Sequence, residues 1–220
     1  MGGRGTDIGR GNGGGGGGGI NTTSERSLVS ERERHRTEVD QALAALRYVK
    51  DKWGVDVEDA QVVKIKGRGA NSTMAYYDYG ENIAINEPYF DANKMTEAYD
   101  RCVKSGFHPK RGKTPAIEAT IAHEAGHRLT AVIAERMGLN KGRNVGGSWF
   151  LHDAADRIVK DAMKKTSYKS IKEFRSKVSG YANENNAEAI AEAYADVYCN
   201  GRRAARESRL IWNEASKYLS

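Results

Sequence analysis

The pentad His123-Glu124-Ala125-Gly126-His127 lies inside an unbroken helix-forming run, and it constrains the chain more than any other feature. On a helix, positions i and i+4 stack on one face, so two imidazoles are presented one turn apart to a common point. That spacing suits one tetrahedral zinc ion bridging His123 and His127. Glu124 points beside the metal, where a carboxylate can take the proton of a water. The same run carries Ile117, Ile121, Leu129, Val132 and Ile133, which predicts a buried helix with the histidine pair facing a neighbour. Thr114 is a suitable N-cap, Pro115 fits the first helical position where its missing N–H is not needed, and Gly138 closes the run.

Two imidazoles and a water leave a zinc ion one protein ligand short. Residues 128–137 contain no histidine, so the third donor comes from a separate element, with Cys199, His152, Glu188, Glu192 and Asp196 as candidates. The stretch Asn186 to Asp196 is strongly helical and spaces Glu188, Glu192 and Asp196 by four along one face. Three acids stacked in this way repel one another unless something positive faces them, which makes this helix the best source of the missing ligand.

Composition adds the frame. Of 25 glycines, 12 fall within residues 1–19, and Gly13 to Gly19 are consecutive, which predicts a disordered tail over residues 1–23. No apolar stretch resembles a secretory signal or a bilayer span, so a soluble chain is expected, in the cytoplasm of a host cell or in a particle assembled there, with no membrane partner. Cys102 and Cys199 have no C-x-x-C spacing and are expected to be reduced. The net charge of +6 tolerates a polyanion without demanding one. Its densest part is residues 160–177, with Lys160, Lys164, Lys165, Lys169, Lys172, Arg175 and Lys177 against Asp161 and Glu173. A solvated helix face explains that run more simply than a nucleic-acid site.

Along the chain, residues 24–55 read as a helical arm of one long or two short helices, with Leu28, Val39, Leu43, Leu46, Val49 and Trp53 as its apolar stripe and Gly54 as its stop. The period then changes. Val62 to Lys66 reads as a strand, and Thr73 to Tyr79 with Ile83 to Asn86 reads as a hairpin, together predicting a small antiparallel sheet that Pro88 ends. Helical patterns follow from Asp91 to Ser105, in part from Ser148 to Tyr168, and from Ser170 to Ser179, with a basic loop from Gly106 to Lys113. His35, His108 and His152 read as surface or structural residues.

The pentad, the segment Ser179-Gly180-Tyr181-Ala182 and the run Glu188-Ala189-Ile190-Ala191-Glu192-Ala193-Tyr194 together resemble the gluzincin metallopeptidases, closest to the branch of the anthrax lethal factor catalytic domain and its phage-borne relatives. In that branch a tyrosine lies seven residues before the glutamate ligand, as Tyr181 does before Glu188. The resemblance implies an α+β zincin-like domain over residues 56–220 that acts as a zinc endopeptidase on protein or peptide substrates. It implies Glu124 as base, Tyr181 as the phenol facing the oxyanion, His123, His127 and Glu188 as ligands, and Glu192 as the carboxylate orienting a ligating histidine. It also implies a phage or prophage origin, with phage structural proteins as partners. Asn82 to Asn86 is similar to the edge strand that aligns an extended peptide in these enzymes. A second register, with Glu192 as ligand and Asp196 as the orienting carboxylate, leaves Tyr181 unexplained. Two alternatives stand beside the enzyme: a phage head or accessory protein keeping the fold with little turnover, and a polyanion-binding module using residues 160–177.

Overall fold

Apolar residues three and four apart decide where the helices bury themselves. In helix α2 (Arg36–Trp53), Val39, Ala42, Ala45, Leu46 and Val49 are all buried, and Gly54, in the left-handed region at φ 63°, ends the helix with its N–H on the Lys50 carbonyl. A short α1 (Leu28–Glu31) precedes it, capped by the Ser27 hydroxyl. The computed structural model describes residues 21–57, 60–67, 70–78, 82–139 and 149–220. Most of the expected tail falls on residues 1–20 and lies outside them.

Four strands form one sheet: β1 (Asn21–Ser27), β2 (Gln61–Lys66), β3 (Ala75–Tyr77) and β4 (Ile83–Asn86), in the order β1-β2-β4-β3. The sheet is mixed, which corrects the expected antiparallel one: β1 runs antiparallel to β2 and β3 antiparallel to β4, but β2 pairs parallel with β4, Gln61 opposite Ala84 and Val63 opposite Asn86. Strand β1 is a second correction. Residues 21–23 fall in the expected tail and 24–27 in the expected helical arm, yet pairing with β2 satisfies their backbone groups and overrides local helix propensity. A third concerns Ile83 to Asn86. All four residues are buried between two partner strands, so this segment is interior, and β3 is the terminal strand that lies beside the helices. The hairpin between β3 and β4 closes with the Asp78 N–H on the Asn82 carbonyl at 3.0 Å; Tyr79 to Glu81 lie outside the described residues.

Asn86 shows why the sheet ends where it does. Fully buried, its amide donates to the carbonyls of Ala70 and Thr73, both at 2.8 Å, and its oxygen accepts from the Ile65 N–H at 3.3 Å. One side chain thereby satisfies backbone groups that the ladder leaves open.

The helical layer is built around α4 (Ala116–Arg136), which begins one residue later than the pattern predicts, with Pro115 as its extended N-cap. It packs on α2, on α3 (Ala92–Lys104, capped by Asp91), on β3, and on α7 (Asn186–Asn200). Helices α5 (Trp149–Met163), α6 (Ile171–Ser176) and α8 (Arg206–Ser216) complete the layer. Residues of α2 belong to the same buried core as those of α4 and α7, so the expected arm is part of the domain. No described helix is long and apolar enough to cross a membrane. The fold is α+β in class, mostly helical with one small mixed sheet.

Helices α4 and α7 approach most closely at Gly126, where an added Cβ would stand 2.8 Å from Ala191 Cα. Helix propensity alone favours alanine over glycine by ~1 kcal/mol, but overpacking against backbone costs about 1–3 kcal/mol, and here the neighbouring atom cannot swing away. Gly126→Ala is therefore expected to destabilise by about 2 kcal/mol, a fall in Tm of roughly 4–8 °C for a chain of this size. A thermal unfolding curve at or above the wild-type midpoint would contradict this reading of the helix contact.

Candidate metal centre

Each site side chain is delivered by a locally explicable element. The i, i+4 spacing on α4 aims His123 and His127 at α7, and Gly126 between them lets that helix come close. Glu188 sits in the first turn of α7, where Asn185 caps the helix by accepting from the Glu188 N–H at 2.9 Å. A carboxylate in that position is favoured by the helix dipole. The start of α7 is pinned further by Arg175, which donates to the Asn183 carbonyl and the Asn186 side chain, and by Asn186, which donates to Asp156.

Three atoms able to ligate a metal converge. His123 Nε2 and His127 Nε2 are 3.2 Å apart, and each lies 3.3 Å from Glu188 Oε2. A tetrahedral site has edges roughly 1.6 times its bond length, so zinc bonds of about 2.0–2.1 Å demand edges of roughly 3.3–3.4 Å. The observed triangle meets that demand. All three residues are buried, and they form the one group of three or more potential metal ligands found among the described residues. Two imidazoles with one carboxylate also match the donor types zinc prefers.

The residues behind the triangle fix its orientation. Glu192 Oε1 lies 2.7 Å from His123 Nδ1 and 2.9 Å from His108 Nδ1, while its Oε2 accepts from the Ser179 hydroxyl at 2.7 Å. Because a carboxylate only accepts, the ring nitrogens facing it carry protons, which leaves Nε2 as the His123 nitrogen that a metal would take. Ser179 in turn accepts from the Ala182 N–H at 3.0 Å. Tyr181, buried in the turn Tyr181–Asn183, lays its ring against His123 at 5.7 Å and against Phe107 at 4.8 Å.

Electrostatics follow from this packing. Burial pulls the His123 pKa down, but Glu188 and Glu192, with the charge of Glu124, hold it well above the usual histidine value. For Glu188 and Glu192 burial pushes upward and loses to the imidazoles around them; both carboxyls stay below the usual range. Glu124 is the exception. It is fully buried, and burial raises its pKa against the pull of His123 and His127 and of a backbone hydrogen bond from Tyr77.

Several expectations are corrected here. Asp196 does not orient a histidine: its oxygens accept from Asn200 Nδ2 at 2.8 Å and from the Ala205 N–H at 2.9 Å, securing the end of α7. Glu192 faces Nδ1 of the histidines, on the far side of the His123 ring from the triangle, which disfavours the register that makes it a ligand. Cys199 and His152 lie outside the cluster, and burial raises the Cys199 thiol to about 12, where it keeps its proton. His108, read from the sequence as a surface or structural residue, is buried beside the cluster. Nothing local marks it, since its partner Glu192 is 84 residues away. In the basic run, Lys160, Lys164 and Lys165 pair with Asp156, Asp161 and Glu214, Phe174 is buried, and Tyr168 donates to Glu207. The first two of these ion pairs are local to α5 and its end, and the third ties the run to α8.

No protein-family model, curated protein or solved structure matches the chain.

Proposed function

We propose that the protein is a zinc-dependent endopeptidase on a zincin-like domain. The observation that carries this reading is the triangle of His123, His127 and Glu188, closed to edges of 3.2–3.3 Å. A bound zinc supplies a Lewis acid that lowers the pKa of water toward ~7 and polarises a peptide carbonyl. Glu124, next to His123 on the same helix, takes a proton from the attacking water at a carboxylate oxygen and returns it to the leaving amine. Its complete burial favours that role, because a poorly solvated carboxylate is the stronger base. Tyr181 gives its phenolic hydrogen bond to the developing oxyanion. Strand β3, at the end of the sheet and packed on α4, is the strand along which an extended substrate pairs.

The purified protein is expected to carry about one zinc per chain and to cleave protein substrates in a proteome-wide screen. Cleavage is lost on chelation and regained with zinc. Ligand held at ~1,000 times its dissociation constant stabilises by about 4 kcal/mol, so chelation is expected to lower Tm by roughly 8–16 °C. A chain that takes up no zinc, or one whose cleavage ignores chelators, would end the proposal.

A further inference from the structure

Burial of a histidine with a single polar contact asks what that contact is for. His108 is 5% exposed and fixed on several sides by rings: it stacks on Tyr99 at 5.3 Å and 15°, meets Phe107 edge-on at 5.1 Å, and meets Tyr181 edge-on at 5.7 Å. Its Nε2 is buried without a hydrogen-bond partner among the described residues, so the bond from Nδ1 to Glu192 Oε1 is the ring's one polar engagement. An imidazole is costly to place there unless that bond is needed.

The segment bearing His108 is also held to the segment bearing Tyr181. The Gly180 N–H donates to the Gly106 carbonyl at 2.8 Å and the Tyr181 N–H to the Phe107 carbonyl at 2.9 Å. The approach is close, since a Cβ on Gly180 would stand 3.1 Å from the Gly106 oxygen. One clamp of residues 106–108 against 179–182 therefore delivers two donors, His108 to Oε1 and Ser179 to Oε2, onto a single carboxylate. With both oxygens occupied, Glu192 cannot rotate away from His123 Nδ1.

We propose that His108 is a positioning residue of the metal centre, which acts through Glu192 to hold His123 in the tautomer and orientation that bind the metal. This inference rests on reading His123, His127 and Glu188 as ligands. Groups behind a ligating histidine are typically worth ~10–100-fold in metal affinity, and His108 extends that support by one further residue.

The test uses the full chain and zinc, with dissociation constants from chelator competition and the absorption spectrum of the cobalt-substituted protein. His108→Ala is expected to weaken zinc about 10-fold and to alter the cobalt spectrum. His108→Asn, whose side-chain N–H falls where Nδ1–H lies, restores most of the affinity, whereas His108→Gln, whose amide reaches the place of Nε2, does not. Thermal midpoints of the zinc-free variants monitor packing, and should the alanine variant not fold, the asparagine and glutamine pair carries the comparison. Wild-type zinc affinity in His108→Ala, or equal losses in the asparagine and glutamine variants, overturns the proposal. Absence of zinc binding by the wild type overturns the metal centre itself, and this inference with it.

Discussion

Glu124→Gln is expected to reduce peptide-bond cleavage by about 10²–10⁴-fold while leaving zinc bound, the range that a positioned general base contributes. The amide is nearly isosteric and cannot accept a proton, so the substitution isolates proton transfer from packing. Folding is expected to hold or improve. A fully buried carboxylate is desolvated at a cost that a neutral amide does not incur. The sign in pH follows from the role of Glu124 as a base. Burial raises its pKa in the metal-free site and a bound dication opposes that rise, and activity falls as pH drops through the carboxyl's pKa and protonates it. In the glutamine variant the residual cleavage should lose that acid limb. Variants are compared by zinc content, kcat/KM against pH and thermal midpoint. Full activity with zinc retained would remove Glu124 from the chemistry.

What could be read from the chain was whatever is encoded locally. The pentad, its apolar surroundings and the Gly138 stop lie within one helix, so α4 was predicted to within a residue at its start. The pairing of Glu188 with two histidines was suggested by one helix carrying three acids that needed positive neighbours, and each acid has its own: Glu188 faces both imidazoles, Glu192 faces His108 and His123, and Asp196 faces amide donors. Asp196 misled because spacing by four is only approximately one face. Each step of four drifts by ~40° on a helix of 3.6 residues per turn, so Asp196 lies about 80° around from Glu188. Strand β1 was missed because its stability comes from β2, some 40 positions away, and the parallel pairing of β2 with β4 was missed because local hairpin signals say nothing of strand order. Residues after 200 carry weak periodicity, with Leu210, Ile211, Trp212 and Ala215 as the main apolar positions of α8, yet Trp212 packs on Tyr194 and Trp53 in the core.

The graded behaviour of one helix face offers the sharpest separation of ligand, support and cap. Glu188→Gln removes the carboxylate whose Oε2 stands 3.3 Å from both Nε2 atoms, and zinc affinity is expected to fall by well over the 100-fold that bounds a supporting group. Glu192→Gln keeps one oxygen acceptor for His123 and His108, which share Oε1, but turns an amide donor toward the Ser179 hydroxyl that now donates to Oε2; a loss of roughly 10–100-fold is expected. Asp196→Asn weakens bonds to Asn200 and the Ala205 N–H at the other end of α7, so it is expected to cost about 1 kcal/mol of stability and to leave zinc affinity unchanged. The order matters more than any single value. Were Glu192→Gln to lose zinc more completely than Glu188→Gln, the ligand would have to be reassigned to Glu192 despite its facing Nδ1. If Asp196→Asn matched either, the convergence of three atoms on one point would no longer explain the site.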